Sequence, residues 1–403
     1  MTKISRTTDM TQGSEMRHII MFSLPLLAGN LLQQTYNIVD TMVVGRYLGD
    51  DALAAVGATG SITYLFYTLC IGLSVGAGII VAQYFGAGKK KALRSAVFNS
   101  ALVTAIFGVV ISLLSVPAAR PILELLKVPD KLIGDSVAYM QIACGGTIAV
   151  AAYNWINAIM RALGDSKTPL IFLGAASLLN ALLDLLFVVV FKFGIAGAAW
   201  ATVLTQALSA ISCIVYCFAV SGEIKLTADD LHADKDMMSR CVKTGVPIAI
   251  QNGLISVSMV ALQRVTNGFG ETVMAAYTVS MRIEQFVQQP FSSLNAAVST
   301  FTGQNIGAGK EKRAQKGLAC AIKISVIFSA VVLVLFTLFG GAITSWFVKG
   351  KTVISISAKA LIITSLFYWS LGIIHTTRGF LNGAGDTNYA LVNGMAEVIC
   401  RIG

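Results

Sequence analysis

Two aspartates within long apolar segments are the residues of this chain best suited to bind a cation or a proton. The stretch from Pro169 to Val190 is long and apolar enough to cross a bilayer, yet it contains Asp184. Asn180 and Ser177 precede Asp184 by about one and two helical turns, so the three side chains share one helix face. A carboxylate at the centre of a membrane helix costs roughly 2.5–3.5 kcal/mol, which predicts that this face meets a polar cavity, an ion or a proton path. The alternative is that Asp184 lies near a helix end or pairs with a base for packing.

The second acid, Asp40, belongs to a polar stripe along the first apolar helix, which we predict over 17–44. The stripe occupies one helix face at spacings of three and four and consists of Asn30, Gln33, Asn37 and Asp40. In lipid, such a stripe must face protein or water. The alternative for Asp40 is that it caps the following loop and pairs with Arg46.

Composition predicts an all-α polytopic membrane protein. The 403 residues are 55% hydrophobic and only 12% charged, whereas soluble domains are about 25% charged. The net charge of +10 is distributed over short loops between apolar segments, which favours the positive-inside pattern over a nucleic-acid surface. The polar start leads directly into the first apolar helix, so we expect no cleaved signal peptide and an uncleaved first span.

Apolar runs along the chain predict eleven helices, and an amphipathic segment from Pro121 is predicted to lie at the outer interface. The charged connection 221–243 divides the chain into an N-terminal lobe, 1–220, and a C-terminal lobe, 244–403. Basic residues, including Arg161, concentrate in loops on the side of the N-terminus, which predicts that this side is cytoplasmic. The predicted helices are 17–44, 52–85, 93–116, 136–163, 169–190, 195–220, 245–266, 273–304, 318–348, 354–380 and one that begins near Tyr389.

An internal repeat at one fixed offset organises these helices. The segment Q-Y-F-G-A-G-K at 83–89 returns as Q-N-I-G-A-G-K at 304–310, and Gly164-Asp165-Ser166 returns as Gly385-Asp386-Thr387. The offset spans an even number of helices, which predicts two parallel six-helix units that rock around a site at their interface. In this register the second unit would extend beyond the given chain, which ends inside the eleventh helix. The Gly-Ala-Gly-Lys sequences fit a helix stop better than a phosphate loop, because they end membrane helices instead of following strands.

With these motifs in view, the chain resembles the multidrug and toxic compound extrusion family, MATE, of the multidrug/oligosaccharidyl-lipid/polysaccharide flippase superfamily. The resemblance extends from about Arg17 to the end. It depends on Pro25 with the polar stripe to Asp40, on the Q-x-x-G-A-G-K loop and its repeat, on R-A-L-G-D-S-K-T-P at 161–169, and on Arg282-Ile283-Glu284-Gln285.

The resemblance implies a twelve-helix, two-bundle antiporter that exports cationic, amphipathic compounds in exchange for Na⁺ or H⁺. It implies no enzyme activity and no cofactor beyond the coupling ion, and the expected protein is a monomer in the cytoplasmic membrane. The family's N-lobe cation site corresponds to Asp40, Asn180, Asp184 and Thr202, of which the first three are possible Na⁺ ligands. A C-lobe acid in the seventh or tenth helix is not evident here. The candidates for the substrate cavity are Gln33, Tyr36, Asn37, Asn154, Glu284 and Gln288.

The sequence leaves three alternative functions possible. A flippase for a lipid-linked sugar or another lipid would favour several basic residues in the cavity, and few are visible in the predicted helices 1–8. A lipid-modifying enzyme would need a cluster of histidines and acids, but His18, His232 and His375 are far apart in sequence. A channel is the third possibility. For Glu284, the alternative to a role in transport is a salt bridge with Arg282.

Overall fold

The computed structural model describes residues 7–220 and 222–402, and nearly all of them are helical. No β-strand occurs within these ranges, so the predicted all-α fold class is confirmed. The helices are α1 (Glu15–Leu48), α2 (Asp50–Gly86), α3 (Lys90–Leu125), α4 (Asp130–Gly145), α5 (Thr147–Ala162), α6 (Lys167–Asp184), α7 (Gly194–Val220), α8 (Lys235–Asn267), α9 (Glu271–Gly307), α10 (Glu311–Ser345), α11 (Lys351–Ser365), α12 (Tyr368–Ala384) and α13 (Thr387–Ile402).

Two predicted helices are bent pairs in the structure. The predicted helix 136–163 is divided into α4 and α5, which meet at an angle of 43°, and the predicted helix 354–380 is divided into α11 and α12 at 51°. At Gly146, a Cβ atom would lie 2.4 Å from the Val203 side chain of α7, so a larger residue would push α7 away from the bend. The helical pattern of apolar residues does not predict such a bend, because the bend depends on contact with another helix.

The prediction that a separate interfacial segment begins at Pro121 is wrong. Residues 121–125 complete α3, and α4 begins at Asp130, after a short turn that contains Lys127 with a φ of +56°. Pro117 and Pro121 lie within α3 and do not end it, because a helix can accommodate a proline by bending. A further short segment, Leu185–Val190, continues α6 as a π-helix.

Five continuous helices are long and apolar enough to span a membrane within the part of the chain that the structure describes. They are α2, α3, α6 with its π-helical continuation, α7 and α10, and the number rises to seven if each bent pair forms one span. Although α1, α8 and α9 each exceed 30 residues, they are not among them. Polar faces such as the stripe in α1 lower the mean hydropathy of a helix that packs against protein.

The repeated motifs are the turns that end one helix and begin the next. Gly164 and Gly385 have φ values of +80° and +92°, a conformation that favours glycine because it has no Cβ. The Asp165 carboxylate then accepts hydrogen bonds from the Lys167 and Thr168 amides, and Asp386 accepts one from the Tyr389 amide. The same turn chemistry therefore starts α6 in one half and α13 in the other. We refer to α1–α7 as the N-half and to α8–α13 as the C-half; the lobe boundaries at 220 and 243 stay predictions.

The two halves meet in a symmetric crossing on the side of the bundle where α1 begins, which we call the N-face. At this crossing, a Cβ on Gly86 would lie 1.9 Å from the Gln304 carbonyl oxygen, and one on Gly307 would lie 1.9 Å from that of Gln83. The Gln83 side chain donates to the Gly383 carbonyl at 3.1 Å, and its repeat partner Gln304 donates to Ala162 at 2.9 Å. The Q-x-x-G-A-G-K motif thus has a structural role: it lets α2 and α9 cross at backbone contact.

A segment before α1 reinforces this closure. Residues 8–13, here called the strap, lie across the ends of helices from both halves. The Thr8 amide donates to the Leu163 carbonyl of the N-half, and the Met10 amide donates to the Gln304 side chain of the C-half at 2.9 Å. The Arg313 guanidinium donates to the carbonyls of Met10, Gln12 and Gly13, and it pairs with Glu15 at 3.1 Å.

Replacing Arg313 by Ala should release the strap from α10. Hydrogen bonds to charged groups contribute about 1.5–3 kcal/mol each, so a net loss of about 3 kcal/mol would raise hydrogen exchange in the strap roughly 100-fold. The measurement is amide exchange of the peptide 7–16 by mass spectrometry. Lys312→Ala is the matched control, because Lys312 is exposed and adjoins Arg313. Unchanged exchange in Arg313→Ala would show that other contacts hold the strap.

Candidate functional site

Three helices of the N-half bring the predicted cation-binding residues to one depth. Asp40 lies about two helical turns before the end of α1, and Thr202 lies about two turns after the start of α7. Asp184 is the last residue of α6 before the π-helical segment. Since α1 and α6 end where α7 begins, all three side chains lie towards the face opposite the N-face.

The carboxyl groups of Asp40 and Asp184 lie close enough to interact electrostatically, although no hydrogen bond joins them in the described structure. Asp184 is 0% exposed, and both of its carboxyl oxygens lack a hydrogen-bond partner in the described structure, as does the Oδ1 atom of Asp40. No ion pair in residues 7–220 and 222–402 includes either acid. Two carboxylates at this distance repel each other in a low dielectric, so the pair is stable only when a proton or a cation neutralises it.

Pairing with a base, which is one alternative for both acids, does not occur in the described part of the chain, whereas Asp184 does lie at the end of the regular part of α6. Asp40 forms no ion pair with Arg46 in the described part of the chain, so it is not held by the following loop. Although α6 ends at Asp184, the π-helical continuation extends the span to Val190 and keeps the acid within it. π-Helical segments are frequent at functional sites, because the extra residue shifts which side chains face inward.

Two tyrosines border the carboxyl pair. The Tyr36 hydroxyl lies within reach of the Thr202 hydroxyl, and both Tyr36 and Tyr139 are close enough to the two carboxyls to interact with their charges. Tyr139 comes from α4 and packs against the apolar cluster around Val44 and Val188. A phenol hydroxyl can donate a hydrogen bond to a carboxylate or accept one from a protonated carboxyl group. Both tyrosines can therefore form hydrogen bonds with either charge state of the pair.

Further polar atoms without partners extend the site along α6 and α7. Asn180, one turn before Asp184, is 1% exposed, and its Nδ2 atom has no partner in the described structure. The Oγ1 atom of Thr205 and the Oε1 atom of Gln206 are likewise buried and unpaired. Thr205 and Gln206 follow Thr202 on the polar side of α7, and the T-x-x-T-Q-x-x-S pattern at 202–209 was their only signal in the sequence. Oxygen donors of this kind suit a hard monovalent cation such as Na⁺.

The remaining cavity candidates are not brought to this pair by any contact in the structure. Asn37 is exposed, Gln33 and Gln288 are partly buried, and Asn154 donates to the Val150 carbonyl of its own helix at 2.8 Å. The start of the α1 stripe instead reaches the other half, because Asn30 donates to the Ser293 hydroxyl of α9 at 3.1 Å.

Glu284 occupies a separate position in the C-half. Its carboxyl lies near Thr364 and Tyr368, although the Thr364 hydroxyl donates to the Leu361 carbonyl and the Tyr368 hydroxyl has no hydrogen-bond partner in the described structure. No ion pair with Arg282 forms in the part of the chain described. Around Tyr368, the aromatic rings of Phe291 and Phe336 pack edge to face. All three rings are buried in the hydrophobic core of the C-half, so Glu284 lies beside packed aromatic side chains.

Comparison with known proteins identifies relatives along most of the chain. The sequence model of the MatE family matches residues 25–186 and 247–403. A protein named probable multidrug resistance protein YoeA, from Bacillus subtilis, is 31% identical over 393 residues, which is 96% of this chain and 85% of that protein. Probable multidrug resistance protein YpnP, also from Bacillus subtilis, is 29% identical over 95% of this chain and 86% of its own. The crystal structure of a MATE protein in the straight conformation superposes with a TM-score of 0.91 at 23% identity, over 98% of this chain and 89% of that one.

Proposed function

Because this chain belongs to the MatE family, we propose that it exports cationic, amphipathic drugs or toxic metabolites across a membrane in exchange for Na⁺ or H⁺. Drug efflux is supported by the curated relatives, which are named as multidrug resistance proteins. The observation that carries the exchange is the buried pair of Asp40 and Asp184, which has no basic partner in the described structure. A pair of this kind must bind a proton or a cation to stay buried, and release of that ion on the other side of the membrane would complete an exchange.

The proposed coupling follows from this pair. A cation that enters from the face opposite the N-face would bind between Asp40 and Asp184, with Asn180 and the hydroxyl of Thr202 supplying further oxygens. Its charge would remove the repulsion between the carboxylates and allow α1 to pack more closely against α6. Because α1 also contacts α9 through Asn30 and Ser293, movement of α1 would reach the C-half. Each charge that crosses contributes about 2.3 kcal/mol per 100 mV of membrane potential.

Alternating access would require the N-face crossing to open. The close contact of α2 with α9 and the strap seal this side in the present conformation. Rocking of the N-half against the C-half would break this seal and expose the space between the halves. The excess of basic residues on the N-face supports a cytoplasmic N-terminus in a multi-pass protein of the cytoplasmic membrane. We propose that it works as a monomer, since each chain contains both halves.

Transport by the full chain in vesicles tests this function. A fluorescent cationic dye would be loaded, and a Na⁺ gradient alone or a pH gradient alone would be imposed. We expect one gradient to drive efflux and the double variant Asp40→Asn/Asp184→Asn to abolish it. Asp135→Asn is the matched control, because Asp135 is an exposed acid of α4. If neither gradient moves any of several cationic dyes in the wild type, the drug-export proposal is wrong and a lipid-linked substrate becomes the better reading.

For Glu284 we propose a role in holding the cationic substrate. Glu284→Gln should weaken binding of a cationic dye roughly tenfold, because the loss of one charge contact contributes about 1.4 kcal/mol, while the maximal gradient-driven rate stays unchanged. Efflux would be measured over a range of dye concentrations, with a neutral dye for comparison. Glu271→Gln is the control, since Glu271 is exposed at the start of α9. A collapse of the maximal rate in Glu284→Gln would instead place Glu284 in coupling.

A further inference from the structure

A small cavity lies between the two halves, just inside the N-face crossing. Its volume is about 100 Å³, which equals about three water molecules. Helices α2 and α5 of the N-half and α9 and α12 of the C-half enclose it. The lining residues that matter here are Gly78, Ile79, Arg161, Ser299, Thr300 and Asn382.

The internal repeat places this cavity on the axis that relates the two halves. At the repeat offset, Gly78 corresponds to Ser299, Ile79 to Thr300, and Arg161 to Asn382. Both members of each pair line the same cavity. The halves differ in chemistry, because the N-half provides a guanidinium while the C-half provides two hydroxyls and an amide.

Arg161 lines the cavity, and its guanidinium has no hydrogen-bond or ion-pair partner in the described part of the chain, although the Tyr153 phenol lies near enough to interact with its charge. The side chains of Ser299, Thr300 and Asn382 also make no hydrogen bond within residues 7–220 and 222–402. The buried Oδ1 atom of Asn382 is an acceptor without a partner, so an anion would be held by the Nδ2 amide group of this residue after its side chain turns. Arginine, hydroxyl and amide groups can all donate hydrogen bonds. A cation that is partly buried between two protein halves without a counter-charge weakens their contact.

We propose that this cavity binds one small anion, either a chloride ion or a carboxylate group, on the Arg161 guanidinium. The hydroxyls of Ser299 and Thr300 and the amide of Asn382 complete the donor set from the opposite half. Because the donors come from both halves, the bound anion stabilises the conformation in which the N-face is closed. The site is separate from the Asp40–Asp184 pair, and its test does not depend on the transport proposal.

Thermal unfolding of the purified full chain in lipid nanodiscs tests this site. The sodium concentration and ionic strength would be constant, while the anion is chloride, acetate or 2-(N-morpholino)ethanesulfonate, which is too bulky for the cavity. We expect chloride or acetate to raise Tm saturably by about 3 °C over the bulky sulfonate, as a ligand of the folded state does. The anion with the lower half-saturating concentration identifies the source of the negative charge.

Three variants make the result specific. Arg161→Gln should lose the anion-dependent increase in Tm, whereas Arg120→Gln should keep it, because Arg120 is exposed and pairs with Glu124 on α3. Asn382→Asp supplies a carboxylate across the cavity from Arg161, so this variant should be stable in the bulky anion and insensitive to chloride.

Two outcomes would overturn the proposal. One is an equal Tm of the wild type in all three salts, which would mean that only water fills the cavity. The other is full chloride dependence in Asn382→Asp, and this result is decisive even if Arg161→Gln does not fold.

Discussion

Gradient-driven dye efflux should fall to the background rate when Asp184 is replaced by Asn. Asparagine has nearly the same shape, but it removes the charge that a proton or cation would neutralise. Loss of this charge should weaken cation binding by about 3 kcal/mol, or roughly 150-fold. Asp40→Asn should act in the same direction with a smaller effect, because only one oxygen of Asp40 is buried without a partner, whereas both oxygens of Asp184 are.

Stability separates this effect from simple misfolding. Removal of one of two repelling carboxylates should leave Tm unchanged or raise it, so Asp184→Asn should lose efflux without losing stability. Efflux and thermal unfolding would be measured on the same preparations, with Asp135→Asn as the control. Wild-type efflux in Asp184→Asn would remove this acid from coupling and direct attention to Glu284.

Substitution of Gly86 by Val should open the N-face. The added Cβ would lie 1.9 Å from the Gln304 carbonyl oxygen, far inside van der Waals contact, and the obstructing atom belongs to the backbone. The α2–α9 crossing must therefore separate. A penalty of about 3 kcal/mol on the closed conformation shifts the equilibrium roughly 150-fold towards an open one. Gly307→Val should act in the same way, because its Cβ would meet the Gln83 carbonyl at the same distance.

Labelling of a cysteine at position 82 measures this opening. Ala82 lines the interface between the halves and is 1% exposed, so Ala82→Cys in a background without the native cysteines should react slowly with a maleimide. In the Gly86→Val variant, we expect labelling at least roughly tenfold faster. Gly60→Val is the control, because a Cβ at this position of α2 meets nothing within 4 Å. Equal labelling rates in the two valine variants would contradict the role assigned to the crossing.

Asp40 and Asp184 could be predicted from the sequence because they are charged residues within apolar segments. An ionised side chain within an apolar helix is costly, and this cost is visible without any structure. The same reasoning placed Asn180 and Asp184 on one face of a helix, since the helical period alone decides which residues share a face. Contact between Asp40 and Asp184 came first from the family resemblance, and the structure adds their separation from any base in the described chain and the flanking tyrosines.

The position of Arg161, in contrast, could not be predicted from the sequence. At the end of an apolar helix, its charge is typical of a loop residue on the basic side of the protein, which is the position predicted for it. In the structure, it lines a cavity between the halves, opposite its own repeat counterpart Asn382. The amino-acid sequence also did not predict the bends at Gly146 and after Ser365, nor the strap across both halves. These features likewise depend on contacts with residues distant in sequence.

The class of protein, most of the helices, the repeat and the acids that are suited to carry a cation could be predicted from the amino-acid sequence alone. These features follow from composition, from the helical period and from the cost of charge in lipid, all of which act within one segment. The bends of the helices, the closure of the halves at the N-face and the unpaired polar groups between them are evident only in the folded protein. Those features depend on contacts between residues far apart in sequence, from Gly146 with Val203 at the bend to Gly86 and Met10 with Gln304 at the N-face, and no local pattern encodes the distance between them.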